Sequence, residues 1–155
     1  MSTPRYSFVP PGGGKSYNWS ADHTFVKVTA ADTGGAYTLM EDNLKAEFAL
    51  GLHLHRRYAE TFYILDGRVN FYIDGDWMTA EPGATIHIPP GVPHAVDLPA
   101  DGTGRMLMIC QPSGFDQYLI ELSAMSESEQ ADDARMEALS LKYDIVNLGD
   151  VPERS

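Results

Sequence analysis

Three of the five histidines stand where a single metal ion could reach them together. His53 and His55 are two residues apart in a run of β character, so both imidazoles leave the same face of one strand. Leu50, Leu52 and Leu54 are expected on the other face, where they supply apolar packing. Glu60 follows His55 by five residues, an odd offset that would put it on the wrong face of an unbroken strand. The chain should therefore turn or bulge through Arg56-Arg57-Tyr58-Ala59, with Glu60 beginning the next strand. His94 comes after Pro89-Pro90-Gly91-Val92-Pro93, whose prolines hold the strand entry in place before any ligand arrives. Three imidazoles and one carboxylate suit one divalent transition-metal ion per chain (Fe, Ni, Mn, Co, Cu or Zn), with positions left for substrate or water. A closed structural zinc site would more often use cysteines. The chain has one, Cys110, so an open, reactive centre is expected.

Short β-rich runs must position these residues. Strands are expected at Phe25–Thr29, Ala36–Met40, Phe48–His55, Thr61–Leu65, Val69–Ile73, Ala84–Ile88, His94–Leu98 and Arg105–Cys110. Asp66-Gly67 and Asp74-Gly75 read as tight hairpin turns, because glycine accepts the positive φ such turns need. Many short strands joined by turns imply an all-β sandwich or barrel. After Pro112-Ser113-Gly114 the pattern turns helical, over Phe115–Leu122 and Glu127–Tyr143, with Ser126 and Glu129 as a capping box. The organisation expected is one domain in three stretches: an N-terminal segment with the first strands (1–35), the barrel core (36–112) and C-terminal helices packed on it (113–155).

Composition excludes several function classes. The chain has 155 residues and a formal charge of −11, and its densest basic spot is Arg56-Arg57. Such a surface repels phosphate backbones and anionic lipid. Neither nucleic acid nor a membrane is expected as a partner, and no apolar run approaches the ~20 residues that span a bilayer. A single cysteine and an N-terminus without a signal-like apolar stretch point to the cytoplasm. Gly12-Gly13-Gly14-Lys15-Ser16 ends like a phosphate-binding loop. It lacks that motif's first glycine, where Val9 stands, so a flexible loop is expected.

The histidine and glutamate pattern resembles the two signature motifs of the cupin superfamily. His53-x-His55-x4-Glu60-x6-Gly67 is similar to the first motif, and Gly83-x5-Pro89-x-Gly91-x2-His94 to the second. Two positions depart from the pattern: Glu47 stands where the first motif opens with glycine, and Leu98 where the second closes with asparagine. The resemblance implies a single conical antiparallel β-barrel, jelly-roll-like, with a short C-terminal helical tail. It also implies a homodimer, and the metal ligands His53, His55, Glu60 and His94.

Pro112-Ser113-Gly114-Phe115 and the helices after it resemble the small quercetin-dioxygenase-like cupins. That resemblance implies an oxidoreductase, a dioxygenase taking O2 and a small enolic or aromatic, flavonol-like substrate. Glu60 would then act as catalytic base toward a substrate hydroxyl. The alternatives are a metal-dependent isomerase, lyase or cyclase on a sugar or polyketide-like molecule, or a non-catalytic small-molecule-binding barrel. Tyr58, Phe62, Ile64, Tyr72, Met106 and Met108 are candidates for the substrate pocket. His87 shares a face with Thr85 and is expected to be structural or exposed, and His23 to lie in a surface loop.

Overall fold

The structure, a computed structural model, describes residues 4–155. Its strands are β1 Lys15–Trp19, β2 Asp22–Val28, β3 Thr38–Leu44, β4 Ala49–Leu54, β5 Ala59–Gly67, β6 Val69–Ile73, β7 Asp76–Ala80, β8 Thr85–Ile88, β9 His94–Asp97, β10 Gly104–Gln111 and β11 Val146–Gly149. The helices α1 Phe115–Ala124, α2 Glu127–Gln130 and α3 Asp133–Lys142 lie between β10 and β11. Six strands form one antiparallel sheet in the order β1-β2-β3-β10-β5-β8, and five form a second in the order β11-β4-β9-β6-β7. The sheets face one another as the walls of a jelly-roll barrel, where Phe62 of β5 meets Phe71 of β6 with ring centroids 5.2 Å apart.

Alternation decides which side chains fill the space between the walls. Along β3, Thr38, Met40, Asp42 and Leu44 are buried while their neighbours are half-buried, the period of two that one inward face requires. Phe71, Met40 and Ile64 are fully buried. Burying a side chain of that kind is worth roughly 1.5–3 kcal/mol, so these strands have one stable register. At the other end of the chain, α1 packs on the barrel through Phe115, Tyr118, Leu119 and Leu122.

Several expectations change. Asp74-Gly75 is a hairpin turn between β6 and β7, with φ of 49° and 105°. Asp66-Gly67 is not, because β5 and β6 lie in different sheets. Gly67 keeps a φ of 73°, and a Cβ there would sit 2.1 Å from the Thr103 carbonyl oxygen, so it serves a crossover beneath another chain segment. The glycine run is a turn leading into a strand, and Lys15-Ser16 opens β1, which pairs with β2. The strands β7 and β11 were also unanticipated. The helical stretch Glu127–Tyr143 breaks at Asp132, whose carboxylate caps α3 by accepting from the backbone N–H of Ala134 and Arg135. Ser126 and Glu129 do form the capping box. His23 lies on β2 rather than in a loop, with its ring 4.4 Å from that of Phe25.

Candidate metal centre

His53 comes from β4, His55 from the residue just past it, Glu60 from the start of β5 and His94 from the start of β9. The pairing brings His53 directly opposite His94. His55 is tied to the segment before His94, because the Gly91 N–H donates to the His55 carbonyl at 2.6 Å. Gly91 has a φ of 83°, which lets the proline-rich turn make this approach. Each of the three histidines can offer one ring nitrogen, and these nitrogens lie within 4.8 Å of one another.

The other ring nitrogens explain why the histidines point inward. Nδ1 of His53 lies 2.7 Å from the Gly51 carbonyl, Nδ1 of His55 2.9 Å from that of Asp144, and Nδ1 of His94 2.9 Å from that of Val92. A carbonyl only accepts, so each Nδ1 carries a proton, and in the neutral ring Nε2 is the atom with the free lone pair. Backbone carbonyls in this role fix both tautomer and ring orientation, as they do around metal-binding histidines generally. The Asp144 carbonyl reaches His55 from the turn between α3 and β11. Its carboxylate also accepts from the Arg57 N–H at 2.7 Å.

The Glu60 carboxylate lies between two of the rings. Oε2 is 3.1 Å from His94 Nε2 and Oε1 is 3.2 Å from His55 Nε2. The second contact lacks hydrogen-bond geometry, which leaves His55 Nε2 buried without a hydrogen-bond partner. Burial pushes the Glu60 carboxyl up, but His55 and His94 more than reverse this and hold it below the usual carboxylate range. Burial, reinforced by the charge of His94, depresses His53 to about 4. His55 goes the other way: burial lowers it, yet the charge of Glu60 leaves it above its ordinary value. Tyr58 stacks on His55 at 4.0 Å and 22°.

These four residues line a cavity of about 150 Å³. Of the pocket candidates, Phe62, Met106 and Met108 are on its wall. Tyr58 packs behind His55, Ile64 is core, and Tyr72 faces away from the interior to meet Trp77 at 5.5 Å. Leu50 is on the cavity wall instead of the opposite face. An irregularity between Leu50 and His53 in the pairing with β9 shifts the alternation by one phase. His87 is exposed, with Nδ1 2.8 Å from the Thr61 hydroxyl.

Among the cavity residues that escaped the sequence reading are two acidic ones, Asp22 and Asp42. A signal was present: Asp42 occupies the inward phase between Met40 and Leu44, where a charged residue has no packing reason to be.

Residues 43–110 match a family model described as Cupin domain. That stretch takes in His53, His55, Glu60 and His94, so the chain carries a cupin domain over these residues. Glu47, at the position where the first motif usually opens with glycine, has a φ of 73°, a conformation glycine adopts most readily. The chain is 30% identical over 66 residues, 43% of its length, to quercetin 2,3-dioxygenase of Bacillus subtilis, and that stretch spans only 19% of the relative. The polyketide cyclase RemF of Streptomyces resistomycificus superposes with a TM-score of 0.61 at 20% identity, over 68% of this chain and 78% of that one. A nucleoside dehydratase of Streptomyces superposes with the same TM-score at 13% identity, over 94% and 93%. At such identities the structural matches bear on the fold. Among the described residues, no helix is long and apolar enough to cross a membrane.

Proposed function

We propose that this protein is a metal-dependent dioxygenase acting with O2 on a small enolic or aromatic substrate, and that His53, His55, Glu60 and His94 hold one divalent transition-metal ion. The observation that carries this reading is the trio of Nδ1 contacts to backbone carbonyls, which leaves three Nε2 atoms facing one point beside a carboxylate. The residues fit a metal: His55 Nε2 is buried without a well-formed hydrogen bond, 3.2 Å from Glu60 Oε1, and an ion there would use both the ring nitrogen and the carboxylate as donors. All four donors are nitrogen or oxygen, and Cys110 is buried in the core outside the cavity lining. When bound, such an ion supplies Lewis acidity and, if redox-active, activation of O2.

The chain's own residues do the rest. Glu60 is ionised at neutral pH and places a carboxylate oxygen where it can accept the proton of a substrate hydroxyl. Phe62, Val96, Met106 and Met108 present apolar wall to the substrate and keep water out. The volume suits a single ring better than a three-ring flavonol.

A second reading, a lyase or cyclase that uses no oxidant, draws support from Asp22 and Asp42, which add carboxyl groups to the same cavity. O2 uptake by the iron-, nickel- and manganese-loaded protein with catechols and small enediols separates the two. Uptake matched to substrate loss supports the dioxygenase. Unchanged turnover under argon contradicts it and favours the second reading. A single folding unit, a homodimer and a cytoplasmic location belong to the same proposal. One unfolding transition and a dimer mass by light scattering are the expected results.

A further inference from the structure

We propose that Asp22 and Asp42 form a hydroxyl-binding site inside the cavity, at which Asp22 Oδ1 takes a hydroxyl group of the small substrate at a point distinct from the histidine cluster. This rests on reading the cavity as the place where substrate binds. Asp22 opens β2 immediately after the tight Ser20-Ala21 turn, and Asp42 faces it diagonally from β3, where Thr24 pairs with Asp42 and Asp22 with Leu44. Both aspartates are at most 2% exposed, and both line the cavity that holds His53, His55, Glu60 and His94.

Asp42 is supported from behind. The Trp19 indole N–H donates to the Thr24 hydroxyl at 2.9 Å, and that hydroxyl donates to Asp42 Oδ1 at 2.9 Å. The Asp42 and Thr24 side chains and the Asn43 backbone beside Asp22 oppose the effect of burial on its carboxyl. Its Oδ1 is buried with no partner at all. Leaving a buried carboxyl oxygen unpaired costs free energy, and the residue that carries this one lines the cavity. A ligand that supplies a hydrogen bond there recovers that cost.

The chemistry of the pair selects the ligand group. Burial raises Asp22 to about 6 and, with the charge of Asp22 added, lifts Asp42 well above the ordinary carboxyl range. Two adjacent buried carboxyls cannot both ionise readily, so the pair shares a proton and is donor and acceptor at once. Lys45, whose charge reaches Asp22, is exposed and donates to Asn18. A hydroxyl is likewise donor and acceptor. An ammonium group only donates, and would have to displace the shared proton.

The test compares catechol, 4-methylcatechol and 4-(hydroxymethyl)catechol, the last two differing by one hydroxyl, along with their 3-substituted isomers. Binding to the full-length nickel-loaded protein is measured by calorimetry for wild type, Asp22→Asn and Asp22→Ala, with circular dichroism to check folding. In the wild type one hydroxymethyl isomer binds about tenfold more tightly than its methyl counterpart. In Asp22→Ala that advantage disappears while catechol itself binds within about twofold of wild type. An advantage that survives in Asp22→Ala, or no advantage in the wild type, overturns the site. Failure of catechol to bind any metal-loaded form instead counts against the metal-centred reading. The dyad is then decided without metal, by carbon-13 NMR of labelled aspartate carboxyls. Phenol but not toluene shifts the Asp22 resonance if the proposal holds, and equal responses overturn it.

Discussion

Replacing Asp22 with asparagine should change stability by an amount that rises, relative to the wild type, as pH increases. In the folded chain the Asp22 carboxyl is raised from 3.8 to about 6, chiefly by burial. Below pH 3.8 the folded and unfolded chains both hold the proton and burial costs little. As pH rises through the window from 3.8 to about 6, the unfolded chain releases its proton first. The native state then binds more protons than the unfolded one, so wild-type stability falls with pH across this window. At about 1.4 kcal/mol per pK unit, the raise corresponds to about 3 kcal/mol once pH exceeds the folded value. Part of this belongs to the pair, because Asp42 shares the proton and stays buried in the variant. The expected rise in the stability difference, Asp22→Asn minus wild type, is therefore about 1–3 kcal/mol between pH 4 and pH 7. Urea unfolding of both proteins at unit pH steps, with and without chelator, gives the difference curve. Any fixed penalty from the new amide shifts that curve without tilting it. A curve flat to within about 0.5 kcal/mol, or one that slopes the other way, would refute the claim that Asp22 is held protonated by burial.

Three further outcomes follow from the packing. Phe71→Ala should cost about 3–5 kcal/mol, since Phe71 is fully buried between the sheets; the urea midpoint should drop with little change in slope, and a loss under about 1 kcal/mol would mean the walls do not meet there. Gly67→Ala should lower the melting temperature far more than Gly75→Ala. Both glycines have positive φ, but a Cβ at Gly67 would lie 2.1 Å from the Thr103 oxygen whereas Gly75 has open space; equal effects would contradict the crossover. Deleting residues 144–155 removes β11 and the carbonyl that orients His55. Metal affinity in a chelator competition should fall about 10–100-fold, and an unchanged affinity would show that His55 needs no such support.

The His53 and His55 part of the cluster was legible in the sequence because its geometry is local, and His94, which pairs opposite His53, joined it through the motif resemblance. His53 and His55 share a face by strand periodicity, and the prolines before His94 announce a fixed strand entry. The strand Val69–Ile73 was found to the residue for the same reason. What was missed depends on partners remote in sequence. The strands β7 and β11 are largely exposed, so neither shows a clear apolar alternation, and β11 is defined by pairing with β4 about 90 residues earlier. At Asp66-Gly67 the local turn chemistry matched that of Asp74-Gly75, and only the arrangement of sheets sets a crossover apart from a hairpin. The Leu50 phase was lost to an irregularity that leaves no mark in residue type. Asp22 and Asp42 were passed over because acidic residues ordinarily signal surface, and here they mark the cavity.

The account stands on the convergence of His53, His55 and His94, and the most direct measurement of it is metal content. Elemental analysis after loading with a single divalent metal and removal of excess should give about one ion per chain in the wild type. His94→Ala, checked for folding by circular dichroism, should hold almost none, because one of the three Nε2 donors is gone. An ion retained at full stoichiometry in His94→Ala, or a wild-type protein that takes up no iron, nickel, manganese, cobalt, copper or zinc, would contradict the metal centre.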